Sequence, residues 1–478
     1  MGLNEKFFRS ADEEVEPSFN TVLYTGNGTT NSSQNAVTQV GFPPDLVWIK
    51  NREEGRNHVL TDSLRKTGSL HDKLHSNTTD AANTTGTDNV KSLDSDGFTV
   101  LGQGSETNDS GDTFVAWCFK AGGAPSVSNP FMIDETGYST ASAAGLDDVN
   151  GVLTSASINT NFGFGIYNVE YASNEYTTAF KHGLGQTPEL VITKVTDGTS
   201  VWYVIADNNG SNDRLKLNTT DGFSTDPNFD VSSTTIKTGY SSGAYDIIAY
   251  AFTSKRGVSK VGNYTGANSS VFVNTGFEPA FVMIKWTSES IGYGGWFIYD
   301  NKRDTTNPVS VFLQANTNAA EFDNSSYSIS FNSTGFTVGS TQNDGINYNN
   351  NEYIYYAIAE GTVLDSNPFS LDYLIVAGGG GGGNYYYAGG GGAGGMLTSY
   401  GTGNISGGLQ PVAATPTLDT GIDYTVTVGA GGGGASTGNN SVFNTVTSTG
   451  GGYGAGGSSV GAVAGTGGSG GGGDDYGA

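Results

Sequence analysis

Positive charge is scarce in this chain. Lys and Arg number 21 against 46 Asp and Glu over 478 residues, a formal net charge of −25 at pH 7. A field of that sign repels phosphate backbones and excludes nucleic acid as an expected partner. Cysteine is nearly absent. The one thiol, Cys118, has no partner for an intrachain disulfide and leaves no Cys-based metal cluster. Its FVAWCF context marks it as a buried strand residue. Strong helix formers such as Leu, Glu, Lys and Arg are sparse, which excludes a helical bundle. No run of 18 apolar residues occurs, so no membrane insertion is expected. The opening MGLNEKFFRSADEEVEP lacks an apolar stretch, so no signal peptide is expected.

Glycine (74 residues), tyrosine (25) and phenylalanine (24) fill the space. Aromatic and β-branched runs supply core material, so the chain is not disordered throughout. One pattern occurs three times. It opens on a Tyr-containing strand: VLYTGNG at 22–28, GIYNVEY at 165–171 and VGNYTGA at 261–267. A glycine turn then leads through Pro into GFPPDLVWIK (41–50), GLGQTPELVITK (183–194) and GFEPAFVMIK (276–285). Next come NHVLTD (57–62), VWYVIAD (201–207) and GWFIYDN (295–301). Gly-Phe turns follow at 94–100, 219–225 and 333–339, and each unit closes on an aromatic strand, 112–120, 245–255 and 352–361. Val47, Ile49 and their counterparts alternate with residues of the opposite face, the period of a half-buried strand. Several short strands per unit with no helical period predict an all-β chain of tandem β-sandwich or jelly-roll-like repeats.

The expected organisation is a docking peptide (1–17), β-repeat 1 (18–125), a linker with a possible hairpin (126–161), β-repeat 2 (162–258), β-repeat 3 (259–362), a linker (363–370) and a glycine-rich domain (371–478). The last holds 38 of the 74 glycines and no Lys or Arg. Hydrophobic strands bracket its glycine runs, at DYLIVA (372–377) and DYTVTVGAG (423–431). That bracketing favours packed polyglycine-II segments over a flexible tether. The three repeats are expected to stack end to end as an elongated scaffold.

The order YTGN, GF-P-x-hydrophobic-V-x-I-K, DGFTV and GDTFVAWCFKAG resembles the β-repeat domain of tail-fibre and virion proteins of marine and cyanobacterial phages. DYLIVAGGGGGG followed by GGGGAGG and YTVTVGAGGGG resembles the glycine-rich domain of phage fibre tips and adhesins. The resemblance implies a virion structural protein, a tail fibre or adhesin that attaches to a host cell-surface glycan or protein by multivalent, non-covalent binding. It implies a homo-oligomer, a trimer as in phage fibres, located on the virion tail and joined to other tail proteins through the N-terminus. The alternatives are a capsid or tail decoration protein, a self-assembling extracellular β-filament subunit and a glycan depolymerase.

Candidate sites are few. Tyr385, Tyr386 and Tyr387, set between two glycine runs, either offer a receptor-binding face, or fold back as a small core or pack against a neighbouring subunit; loop-borne tyrosines supply contact area at low entropic cost. Phe7, Phe8 and Val15 fit a peptide that docks on another subunit or virion protein. Lys50, Lys194 and Lys285 end the same strand of each repeat. They are read as guards of a strand edge, with an anionic ligand as the alternative. His71 and His75 have zinc-like spacing, but in polar surroundings they read as exposed loop. Asp207, Asn209, Ser211 and Asp213 lack the closing Glu of a calcium loop and read as a turn. Scattered carboxylates and four histidines compose no catalytic set, so no enzyme, cofactor or metal is expected.

Overall fold

A computed structural model of the chain describes residues 17–28, 34–85, 89–102, 104–147, 152–172, 178–206, 213–240, 244–288, 294–339, 345–359, 369–370, 372–399, 417–418, 425–457 and 463–473. The chain divides into a β module, Met1–Leu364, and a glycine module, Asp365–Ala478. Among the described residues the one helical element is a 3₁₀ turn, Ser325–Tyr327. The rest is strand and loop.

The first β-unit carries β1 (Phe19–Thr25), β2 (Gln34–Val37), β3 (Leu46–Asn51), β4 (Val59–Asp62), the small hairpin β5 and β6 (Lys66–Thr67, Leu70–His71), β7 (Val90–Asp94), β8 (Gly97–Leu101) and β9 (Thr113–Phe119). Three short strands follow, β10 (Phe131–Ile133), β11 (Thr136–Tyr138) and β12 (Leu153–Asn159). The second unit comprises β13 (Phe164–Tyr171), β14 (Ala179–Lys181), β15 (Leu190–Val195), β16 (Tyr203–Ala206), β17 (Asp213–Lys216), β18 (Ser224–Thr225), β19 (Phe229–Val231), β20 (Thr235–Thr238) and β21 (Tyr245–Phe252). The third has β22 (Ser259–Thr265), β23 (Val271–Asn274), β24 (Pro279–Trp286), β25 (Trp296–Asp300), β26 (Val311–Gln314), β27 (Phe322–Asp323), β28 (Ile329–Asn332), β29 (Gly335–Val338) and β30 (Glu352–Ala359).

One topology recurs. The large sheets run β1-β9-β3-β4, β13-β21-β15-β16 and β22-β30-β24-β25, and the small ones β2-β8-β7, β14-β20-β19 and β23-β29-β28. Register equates Trp48 opposite Trp117 with Ile192 opposite Tyr250 and Met283 opposite Tyr356. The segment expected as a linker is not one throughout: β10 to β12 extend the second unit's large sheet beyond β13. The Gly-Phe pair of the second repeat is also misaligned. Phe98 and Phe336 match Ile236 of β20 in register, whereas Phe223 donates its amide to the Thr287 carbonyl of the third unit at 3.0 Å.

End-to-end stacking is overturned by the core. Val47 and Ile49 pack with Phe98 and Val100 inside the first unit's own sandwich. The opposite face places Leu46, Trp48 and Trp117 with Ile192, Tyr250, Phe281, Met283 and Tyr356 in one core that all three units share. Hence β3, β15 and β24 are buried on both faces, not one. A small apolar-walled cavity of about 10 Å³ remains where the three sheets meet, lined by Trp48, Ile192, Tyr250 and Met283 among others.

Equivalent hydrogen bonds close the three units into a ring. Trp202 Nε1 donates to the His75 carbonyl (2.8 Å), Trp296 Nε1 to the Lys216 carbonyl (2.9 Å), and His58 Nε2 lies 3.1 Å from the Gln314 carbonyl. Each bond joins one unit to the unit before it, the first to the third. A second set supports them. Tyr250 donates to Asp62 at 2.7 Å and Trp117 Nε1 to Asp300 at 3.0 Å, while the matching position of the second unit is Ala206. Arg65 and Arg303 pair with the same two buried carboxylates.

In the glycine module, β31 (Phe369–Ser370) pairs with β34 (Thr417–Leu418), β32 (Leu374–Val376) with β33 (Met396–Thr398), and β35 (Val426–Thr427), β36 (Ser441–Phe443) and β37 (Val446–Ser448) form a third sheet. Between them lie extended glycine segments bonded at every third residue. The Gly380 and Gly383 amides donate to Gly392 and Gly389, Gly451 and Gly454 donate to Gly378 and Gly381, and Gly432 and Ala435 donate to Gly379 and Gly382. Segment 378–383 thus has neighbours on three sides, which a sheet strand cannot have, and its three-residue period is that of polyglycine-II. A Cβ on Gly380 would sit 2.0 Å from the Gly452 carbonyl oxygen.

Three substitutions test these contacts. Asp300→Ala removes the buried carboxylate that the Arg303 Nε and the Trp117 indole donate to, at a cost of about 3–5 kcal/mol, read as a lower urea midpoint. Gly380→Ala disrupts the glycine module and exposes it to protease, whereas Gly390→Ala, with nothing within 4 Å of its added carbon, leaves it resistant.

Candidate functional site

Polyglycine segments hold their backbones too close together for side chains, so chemistry is confined to the loops that join them. Tyr385, Tyr386 and Tyr387 occupy the loop between segments 378–383 and 389–395. They are 76%, 86% and 68% exposed, so they do not form an internal core of this module. Tyr385 (φ 80°) and Tyr387 (φ 65°) adopt the left-handed backbone, a conformation costing a non-glycine residue about 1–2 kcal/mol. Neighbouring loops brace it. The Gly457 amide donates to the Asn384 carbonyl at 3.2 Å, and the Asn384 side chain lies against Gly434. The parallel registers of 432–435 and 451–457 with 379–384 bring these loop tips to the same end. The result is an aromatic surface on a stiff backbone support, able to stack on sugar rings or apolar side chains and to hydrogen-bond through three hydroxyls.

The three repeat lysines are not edge guards. The strands bearing Lys50, Lys194 and Lys285 each have hydrogen-bonded neighbours on both sides, and all three side chains are buried. Their ammonium groups donate to loop carbonyls: Lys50 to Asn51 (2.6 Å) and Glu54 (3.1 Å), Lys194 to Val195 (2.6 Å), and Lys285 to Gly294 and to Thr220 of the second unit (3.0 Å). Burial lowers their pKa to about 8, 8 and 7 respectively. They tie strand ends to loops and are closed to any outside anion.

His71 and His75 do not lie in an exposed loop either. His71 is buried on β6 against the Asp62 carbonyl, and its pKa is lowered by burial. His75 contacts Glu106 at 3.1 Å, alongside Lys73 at 2.7 Å, and these contacts outweigh desolvation to hold the Glu106 carboxyl down at about 2. Asp213 accepts from Thr225 at 2.8 Å, while Asp207, Asn209 and Ser211 lie outside the described residues. Phe7, Phe8 and Val15 lie outside them as well.

Sequence reasoning passed over His58. It stands where the other repeats carry Trp202 and Trp296, in strands already aligned by their sequence. Fully buried, its Nδ1 is 2.9 Å from the Trp48 indole nitrogen. An indole only donates, so Nδ1 accepts and Nε2 carries the proton toward Gln314.

An all-β ring of three repeated units, with a glycine-rich module at its C-terminal side, is the class of protein these observations define. The chain belongs to the family described as a domain of unknown function (DUF7483), which matches residues 16–362, and a glycine-rich domain family matches 358–478. No curated protein and no solved structure matches it.

The lysines carry a pH signature. Unfolded, each titrates near 10.5, so between its folded value and 10.5 the unfolded chain binds more protons than the folded one. Stability of the β module is therefore expected to rise from pH 7.5 to 9.5, read as an increasing urea midpoint at constant ionic strength. Above pH 10 the buried tyrosines reverse it, because their raised pKa favours the unfolded phenolate. Lys285→Met flattens the rise.

Proposed function

We propose that this chain is a phage virion structural protein, a tail fibre or adhesin, whose β module is a scaffold and whose glycine module meets the host surface. The observation that carries this reading is the display of Tyr385, Tyr386 and Tyr387 on a left-handed loop braced by neighbouring loop tips. Backbone strain kept beside exposed aromatic rings gives the fold nothing and suits a pre-organised contact surface. The motif order resembling phage fibre repeats and fibre tips supports the viral setting.

In this reading the ligand is a host cell-surface glycan or protein, bound without covalent chemistry or cofactor. Location on the virion tail, docking to tail proteins through residues 1–17 and a homotrimer belong to the same proposal. The trimer rests on the resemblance alone, and the second faces of the large sheets are buried within one chain. Copy number would convert weak single-loop contacts into avidity.

The test is adsorption to host cells. Replacing Tyr385, Tyr386 and Tyr387 together with Ser is expected to reduce binding of the purified protein at least about tenfold, roughly one hot-spot contact in energy, with the melting profile unchanged. Binding at wild-type strength would remove the loop from the contact surface. Immunogold labelling on the head shell instead of the tail would favour a decoration protein.

A further inference from the structure

The three joints of the β module are not chemically alike. Units one and two, and units two and three, are consecutive in the chain, while units three and one meet only through non-covalent contacts. At the first two joints the ring hydrogen bond is an indole N–H to a carbonyl, from Trp202 and Trp296. Neither indole titrates. At the third joint the same position is His58, bonded to Gln314 of the third unit on one side and to Trp48 on the other.

We infer that the joint between the first and third units is an acid-released latch, with His58 as its proton-sensitive part. A second proton has one place to go, Nδ1, and there it meets the Trp48 indole N–H, a donor facing a donor. The surrounding groups oppose it too. Lys50 on β3 and Arg303 after β25 place positive charge toward the ring, and the His75 imidazole after β6 faces it too. The acids nearby are already engaged: Asp300 and Glu321 by Arg303 and Arg52, and Glu106 by Lys73 and His75. Trp117, on β9, stacks at 6.5 Å and brings no charge. Desolvation in the shared core acts in the same direction and holds the pKa of His58 well below its ordinary 6.5.

The sign follows from linkage. The closed joint holds His58 neutral, while the opened joint lets it take a proton near pH 6.5. Closure is therefore at full strength above that pH and weakens as the pH falls below it. The joint's other polar ties are the Trp117 indole bond to Asp300, the Arg52–Glu321 pair and the Ser76 bond to the Ala315 carbonyl. His71 and His182 also resist protonation, but their imidazole bonds lie within single units.

Backbone amides report on each joint separately. Glu321 donates to Arg52 across the third joint, Ala82 to Thr196 and Ser200 to Thr79 across the first, and Phe223 to Thr287 across the second. Hydrogen exchange on the full chain between pH 7.5 and 5, corrected for intrinsic rates, is the measurement. The protection factor of Glu321 is expected to fall by about tenfold per pH unit below the ordinary histidine pKa, the slope of one proton, while those of Ala82, Ser200 and Phe223 hold. In His58→Trp, Glu321 is expected to become as indifferent to pH as the others. Parallel loss of protection at all three joints, or an unchanged fall in His58→Trp, would overturn the latch. Should His58→Trp not fold, Trp48→Phe removes the opposing donor, lets His58 take its proton more easily in the closed joint and is expected to make the fall of Glu321 smaller; an undiminished fall also overturns it.

Discussion

The β module depends on one constraint: each large sheet is apolar on both faces, and a small sheet covers only one of them. Left alone, a unit would expose Leu46, Trp48 and Trp117 or their counterparts to water. Full burial of a large side chain is worth roughly 1.5–3 kcal/mol, so the second faces are covered by one another. Three sheets doing this in a closed cycle leave none uncovered. Much of the stability that could have come from assembly between chains is supplied within one.

Closing the ring sets a polar problem, because indole, hydroxyl and ammonium groups travel into the core with the strands that bear them. Those at the joints between units find partners. Trp202 and Trp296 reach carbonyls of the preceding unit, Lys285 reaches Thr220, and the Asp-Arg pairs at Asp62 and Asp300 accept from Tyr250 and Trp117. The repeat tolerates exceptions. Ala206 replaces the acid in the second unit, and His58 replaces the indole in the first. The pseudo-symmetric frame thus carries differences in chemistry that a true homotrimer could not.

The glycine module solves packing by the opposite means. It removes side chains so that backbones hydrogen-bond on three sides, and among the described residues its buried apolar side chains are Tyr373, Ile375, Ala377 and Ala455. Such a bundle is specified by what it lacks, and its chemical identity resides in its loops. The β module varies its chemistry instead at buried joint positions, as His58 does where the other repeats carry tryptophan.

The all-β class, the triple repeat, the strand pairs around each Pro motif and the ordered glycine segments were legible in the sequence, because strand period, turn residues and glycine runs are local properties. Tyr385–Tyr387 were legible as a position but not as a braced, left-handed loop, since neighbouring loops about 50 and 70 residues away in the chain, at 433–436 and 456–457, hold them. The role of the second strand face was not legible. LVWIK, LVITK and FVMIK read as half-buried strands until it is known that another sheet lies opposite. The repeat lysines, read as edge guards, are interior for the same reason, and the second Gly-Phe pair was misplaced because a local motif does not reveal its partner strand. Sequence alone determined which segments are strands and where their repeats fall. Tertiary structure decided what lies against their outer faces, because burial is a property of contacts between segments far apart in the chain.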